Sequence, residues 1–229
     1  MTGYVLPAPP VSTVAVQGAA ARFPVRRILC VGRNYAAHAR EMGQDPEREP
    51  PFFFTKPADA VVDTGADIPY PSMTADLHHE IELVVAIAEG GADIAVDQAL
   101  AHVFGYGVGV DLTRRDLQAL AKDKGRPWDF AKGFDRSAPM GPLVPVSRIG
   151  HPGKAAIHLS VNGQVRQSAD ISDMIWSVPE VIAEASRFIA LAPGDVIFTG
   201  TPAGVGPLVR GDVVEGAVAG VGEVRFRIV

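Results

Sequence analysis

An α+β architecture with abundant sheet is what this 229-residue chain predicts, and three features carry the prediction. Short runs that alternate or are continuously apolar recur along the sequence, as strands require. The helical stretches between them are few and short. Asn162-Gly163, the strongest short hairpin signal, stands between alternating residues in a second half that reads mostly as sheet.

After a lead carrying Pro7, Pro9 and Pro10, Arg27 to Val31 reads as a short buried strand stopped by Gly32. Asn34 to Met42 reads as a helix with Tyr35, His38, Ala39 and Met42 on one side and Gly43 as its stop. A helix this short is not stable undocked. Pro46, Pro50, Pro51 and Pro57 divide the next segment into a loop, a short strand around Phe52 to Phe54, and another loop. From His79 to Ile87 the chain alternates, with Glu80, Glu82, Val84 and Ala86 on one face and Ile81, Leu83, Val85 and Ile87 on the other. Gly90 and Gly91 end that strand. A helix is expected near Val96 to Val103, then a strand from Gly105 to Val110. A second helix, Thr113 to Lys122, should open on a capping box of Thr113 and Asp116.

In the second half, Ile157 to Val165 forms the hairpin, and Ser177 with Glu180 frames Pro179 as the start of a helix running to about Ile189. Pro193-Gly194-Asp195 turns into a strand over Val196 to Thr199, and a final strand points Val224, Phe226 and Ile228 inward and Arg225 and Arg227 outward. No internal repeat, low-complexity tract or linker interrupts the chain. The expected organisation is an N-terminal extension over 1–26 followed by one domain over 27–229, since 47% apolar composition can bury a substantial core.

Charge and composition narrow the function. The formal balance is 21 − 26 = −5 with no long basic run, which argues against nucleic acid as a partner. Cys30 is the single cysteine, so no intrachain disulfide can form and a reducing compartment is suitable. Residues 1–21 contain no Lys or Arg to form a secretory leader, and no apolar run approaches the roughly 20 residues of a membrane span, so cytoplasm is expected and no membrane partner. A mildly acidic protein acting on an acidic small molecule needs local positive charge, from a metal ion or from Lys and Arg side chains.

Glu80 and Glu82 are the most informative pair, because residues two apart on a strand share a face. Such like charges belong either at a solvated edge, the commoner case for an isolated Glu-x-Glu, or around a cation that neutralises them. Asp111 follows the apolar strand at its junction with a helix. Capping is its ordinary role, but Thr113 and Asp116 would already cap that helix and leave Asp111 available. Three oxygen ligands without cysteine suit Mg2+ or Mn2+, with Ca2+ also compatible and zinc less so. His38 and Glu41, three apart, are either an exposed helical pair or an imidazole oriented by a carboxylate for general-base work on water. Lys132, amid apolar and small residues, is either a snorkelling surface lysine or an ammonium aimed at a developing oxyanion. The loop Thr199 to Gly206 offers hydroxyls and amides to a carboxylate, lacks a Walker ending, and otherwise reads as an inter-strand turn. Cys30 reads as a core residue rather than a nucleophile.

Taken in order, Gly32-Arg33-Asn34-Tyr35 with His38 and Glu41, Lys56-Pro57, His78-His79-Glu80-Ile81-Glu82, Asp111 to Asp116, Lys132 and Thr199-Gly200-Thr201-Pro202 resemble the fumarylacetoacetate hydrolase family from about Arg27 onward. The likeness is nearest to its short single-domain acylpyruvases and fumarylpyruvate hydrolases. It implies a β-rich mixed fold of layered sheets like the C-terminal domain of fumarylacetoacetase, with a short lid helix and a homodimeric assembly. It further implies Glu80, Glu82 and Asp111 as Mg2+ ligands, His38 and Glu41 as the water-activating dyad, and Lys132 as an aid to the metal. Arg33, Arg115, Gln118 and Thr201 would then lie near the carboxylate and keto oxygens of a dicarboxylic or keto-acid substrate. The implied reaction is hydrolysis of the carbon–carbon bond of an acylpyruvate. Fumarylpyruvate, split to fumarate and pyruvate in gentisate catabolism, is preferred because the runs Glu49 to Phe54 and Gly125 to Trp128 look like the gentisate-pathway members. Alternatives on the same site are oxaloacetate decarboxylation, broad acylpyruvase action on acetylpyruvate, and keto-acid isomerisation. An inactive binding scaffold is the non-enzymatic alternative, and the joint presence of three carboxylates, the dyad and Lys132 argues against it.

Overall fold

Two stacked sheets sandwich an aliphatic core whose pattern follows directly from strand periodicity. The structure, a computed structural model, describes residues 3–41 and 49–229. In the larger, eight-stranded sheet the order is Phe52–Lys56, Arg27–Gly32, Asp195–Phe198, Ile81–Ile87, Val103–Val110, Ala138–Met140 and Val61–Asp63, with Val144–Pro145 pairing to Val103–Val110 off that path. The second sheet has five strands in the order Gln164–Asp170, Ala156–Val161, Val213–Val218, Gly222–Ile228 and Asp67–Ile68. A three-stranded sheet joins Thr113–Arg114, Leu77–His79 and Gly206–Leu208.

Ile81, Leu83, Val85 and Ile87 face the second sheet and pack in one cluster with Ile157, Leu159, Val214, Val224 and Phe226. Val84 and Ala86, on the opposite face, join Val14, Phe23, Ile28, Cys30, Val196 and Phe198 in another. The expected alternation is therefore present, but both faces of Ile81–Ile87 are buried, so this strand lies at the centre of the molecule. Burying each such side chain contributes about 1.5 to 3 kcal/mol. The helix Val178–Phe188 starts at the expected capping box, with the Ser177 amide donating to Glu180 at 2.9 Å, and it sets Val181, Ile182 and Ala185 against the core. Asn162 and Gly163 take φ of 53° and 75°, the left-handed pair that closes a tight hairpin between Ala156–Val161 and Gln164–Asp170. The final strand buries Val224, Phe226 and Ile228 and exposes Arg225 and Arg227, as the alternation requires.

Three local expectations are corrected. The strand from His79 to Ile87 is broken at Glu80, where the chain leaves the three-stranded sheet and enters the eight-stranded one. The helix near Val96 to Val103 is only a 3-10 turn over Ala99–His102, because Val103 pairs with Ile87 in the sheet and the preceding loop is tied through Ile94 N–H to Ser186 Oγ at 2.8 Å. The second helix spans Arg115–Asp123, and Thr113 does not cap it: Thr113 pairs with His78, while the Asp116 carboxylate accepts from Thr74 and the Ala75 amide. The short helix is seen as Ala36–Glu41, and its expected end at Met42 and Gly43 lies outside the described residues. Among the described residues no helix is long and apolar enough to cross a membrane.

Candidate metal centre and hydrolytic site

The break at Glu80 brings the acidic residues together. Glu80 sits between two sheets, Glu82 is the second residue of Ile81–Ile87, and Asp111 follows Val103–Val110, the antiparallel neighbour that pairs Ile81 with Val110. The three carboxylates each offer an oxygen within 4.8 Å of the others, and all three side chains are buried. A trio of buried acids at this spacing must be offset by positive charge.

Two lysines offset part of it. Lys132 Nζ donates to Glu80 Oε2 at 2.8 Å, Asp111 Oδ2 at 2.6 Å and Thr113 Oγ1 at 2.6 Å, so it is a buried cross-brace and not a surface lysine. Lys56 Nζ is ion-paired to Asp111 Oδ1 at 2.7 Å and donates to the Leu112 carbonyl at 3.1 Å and to the Lys132 carbonyl. Arg115 reaches Glu80 Oε1 and donates to Gln118 Oε1 at 2.6 Å. Burial pushes the Glu80 carboxyl up, but Lys132 and Arg115 outweigh it and hold Glu80 well below the usual carboxylate range. Burial would depress the Lys132 ammonium, yet Asp111 and Glu80 outweigh it and hold it above the usual lysine range.

Glu82 is different. Its Oε2 accepts from the Gly200 amide at 2.6 Å, and among the described ion pairs none includes it. Burial, then Asp111 and Glu80, push its carboxyl well above the usual range. An all-oxygen donor set with one carboxylate still short of positive charge fits a hard divalent cation such as Mg2+ or Mn2+.

His38 is buried on the short helix Ala36–Glu41, and its Nδ1 lies 3.1 Å from Glu41 Oε2, while Glu41 Oε1 accepts from the Gly204 amide at 3.0 Å. The helix is docked through Asn34, whose side chain donates to the carbonyls of Trp176 and Thr199, each at 2.8 Å, and accepts from the Trp176 amide at 2.7 Å. Of the ten residues singled out from the sequence, all but Asp111 and Glu41 line one cavity: Arg33, His38, Glu80, Glu82, Arg115, Gln118, Lys132 and Thr201. Asp111 lies beneath it in the carboxylate cluster, and Glu41 sits beside His38.

Sequence reasoning assigned no role to four residues that the structure places at the site. Lys56 could have been noticed as a lone cation ending the apolar strand Phe52–Lys56. Lys122 and Trp128 line the cavity from the segment after Arg115, with Lys122 Nζ 5.0 Å from the Trp128 ring centroid. Gln167 left no signal, because its strand is mostly polar and alternation groups it with Val165, which is 63% exposed while Gln167 is fully buried. A bulge opposite Leu159 and Ser160, which pair with Gln167 and Val165 and leave Arg166 between them as the extra residue, shifts the register and defeats that count. Cys30 is buried in the core, where burial and Asp111 push its thiol up, against any role as a nucleophile.

Residues 27–229 match the family described as fumarylacetoacetate (FAA) hydrolase, C-terminal. This chain belongs to the fumarylacetoacetate hydrolase family. Among solved members, it is similar to the crystal structure of fumarylpyruvate hydrolase from Pseudomonas aeruginosa in complex with Mn2+ and pyruvate, with a TM-score of 0.97 and 55% identity over 99% of each chain. A fumarylpyruvate hydrolase from Ralstonia sp is 43% identical over 184 residues, 80% of this chain and 95% of that protein. Human mitochondrial oxaloacetate tautomerase FAHD1 is 41% identical over 203 residues, 89% of this chain and 91% of that protein. The layered, strand-rich single domain is thus the family fold, and the carboxylate cluster is a site that can hold a metal ion.

Proposed function

We propose that this protein is a divalent-cation-dependent hydrolase that splits acylpyruvates, with fumarylpyruvate as its substrate and fumarate and pyruvate as products. The observation that carries the reading is the carboxylate trio meeting at one cavity, which Glu80 and Glu82 line together with His38, itself paired to Glu41. Glu80, Glu82 and Asp111 would hold Mg2+ or Mn2+, whose charge stabilises the pyruvate enolate as it leaves. His38, with Nδ1 facing Glu41, uses Nε2 to take a proton from water, and that water attacks the acyl carbonyl. The resulting tetrahedral adduct collapses with cleavage of the bond to the pyruvyl carbon. Lys132 keeps Glu80 and Asp111 in place throughout, and Arg115 and Gln118 with Thr201 hold substrate oxygens.

Arg33 and Lys122 favour a dicarboxylic substrate. Both line the cavity, and no described ion pair gives either a carboxylate partner. Burial, then Arg115 and Arg33, depress the Lys122 ammonium, so positive charge accumulates where a second carboxylate would sit. A homodimer acting in gentisate breakdown in the cytoplasm belongs to the same proposal and rests on the family likeness.

The test follows enol absorbance of fumarylpyruvate, acetylpyruvate and oxaloacetate in parallel, with pyruvate release measured enzymatically, first with Mg2+ or Mn2+ and then with EDTA. Cation-dependent release of pyruvate, fastest from fumarylpyruvate, is expected. Equal rates on all three substrates would remove the dicarboxylate argument, and turnover that survives EDTA would remove the metal. A second reading, tautomerisation of oxaloacetate, is favoured by the 41% identity to human oxaloacetate tautomerase FAHD1. It is recognised by enol loss from oxaloacetate without any pyruvate.

A further inference from the structure

Gln167 lies on Gln164–Asp170 in the five-stranded sheet, fully buried, and its side chain reaches across to the metal-bearing strand and to the loop after Thr199. Four contacts define it. Its Oε1 accepts from the Ile81 amide at 3.1 Å and lies 3.0 Å from His79 Nδ1, while its Nε2 donates to the Pro202 carbonyl at 2.8 Å and to Thr201 Oγ1 at 2.8 Å.

The orientation of this amide is settled twice. The Ile81 N–H can only donate, so the atom facing it is the oxygen; the Pro202 carbonyl can only accept, so the atom facing it is the nitrogen. It follows that Thr201 Oγ1 accepts from Gln167. A hydroxyl that already receives a donor sends its own hydrogen elsewhere, and Thr201 lines the substrate cavity. Among the described residues no acceptor takes that hydrogen.

We propose that Gln167 is a positioning residue that locks the Thr201 hydroxyl as a hydrogen-bond donor toward the cavity, so that the site selects a carboxylate or keto oxygen there. The inference rests on the proposed function only in naming the acceptor as a substrate oxygen. The same contacts fix the proton of His79 on Nδ1, since Gln167 Oε1 can only accept.

Gln167→Glu separates this role from a merely structural one. A carboxylate keeps the acceptor for the Ile81 amide but has no hydrogen for Thr201, so the threonine hydroxyl turns to donate to it and the cavity loses its donor. Pyruvate affinity in the Mn2+-loaded full chain, and KM and kcat for fumarylpyruvate, are measured for wild type, Gln167→Glu, Thr201→Val and the double variant. Each single variant should weaken pyruvate binding and raise KM about tenfold with a smaller fall in kcat, and the double should be no worse than Thr201→Val alone. Thr201→Ser, which restores the hydroxyl, should recover the affinity. Losses that multiply to about a hundredfold in the double variant, or a Gln167→Glu protein that binds pyruvate as wild type does, overturn the proposal. If Gln167→Glu does not fold, Gln167→Met enters the same cycle with the same expected coupling and the same contrary outcome. Coupling seen in pyruvate binding while wild type releases no pyruvate from any acylpyruvate sinks the reaction but keeps Gln167. Pyruvate release without coupling does the reverse.

Discussion

Glu82 stands apart from Glu80 and Asp111 because both lysines serve the other two acids and leave it with a single amide donor. Its raised pKa means that the metal-free fold is favoured with Glu82 protonated; that stability is fully present below the ordinary carboxylate range and is lost as pH rises through the elevated value. Gln in its place removes the charge but keeps an oxygen for the Gly200 amide. We therefore expect Glu82→Gln to raise the stability of EDTA-treated protein above neutral pH by about 1 to 3 kcal/mol while abolishing the Mn2+-induced rise in Tm and turnover. A metal-free variant less stable than wild type would contradict this. Lys132→Met should do the opposite to the empty site, costing about 3 to 5 kcal/mol by removing the brace between two buried acids. Gly200, at φ 99°, takes a left-handed backbone, and a Cβ there would lie 2.7 Å from Asn34 Cβ. Gly200→Ala should cost about 1 to 3 kcal/mol and displace the amide that Glu82 accepts from, lowering Mn2+ affinity; unchanged affinity by calorimetry would count against that link.

The short helix described over Ala36–Glu41 is held in place by Asn34 to Trp176 and Thr199 and by Glu41 to Gly204. Asn34→Ala is expected to accelerate amide exchange over Tyr35 to Glu41 at least tenfold while exchange in Val178–Phe188 stays as in wild type, because it removes three hydrogen bonds from the anchor of this helix alone. Uniform acceleration by mass spectrometry would mean global loosening instead. Elements of this kind were legible where local chemistry decides them: Asn162-Gly163 demands a hairpin, and Ser177 with Glu180 demands a helix start. They were illegible where a distant strand decides. Thr113 carries a sound capping signal, but its hydroxyl is claimed by Lys132 and its backbone by His78, neither of which is near in sequence. Ala99–His102 has helix-forming residues and only one turn to use before Ile87 claims Val103.

The intact molecule should show the ion as a linkage. If Glu82 ligates Mn2+ as proposed, it does so ionised, so binding releases a proton and strengthens as pH rises toward that group's elevated pKa. The stability difference between Mn2+-loaded and EDTA-treated protein should widen with rising pH, reaching about 2.7 kcal/mol when free Mn2+ is a hundredfold above its Kd, and a Tm gap that narrows with rising pH on scanning calorimetry would reject the ligand set. The acids themselves could be picked out from the sequence because Glu80 and Glu82 stand two apart where an apolar strand begins, although Glu80 falls at the break before it, and Asp111 follows a recognisable apolar strand. Lys56, which pairs with Asp111, carried only the signal of a lone cation at the end of an apolar strand, and Gln167, which holds the Ile81 amide between two of the acids, carried none, since each arrives from an element remote along the chain. The switch of sheets at Glu80 has one more consequence. Glu80 and Glu82 are two residues apart, yet Glu80 stands at the junction of the three-stranded and eight-stranded sheets while Glu82 lies within the eight-stranded ladder, so different backbone frames hold the two carboxylates. Ile81, between them, turns the other way into the aliphatic core beside Gly216, so the spacing of the two acids is set by buried packing and not by the exposed surface.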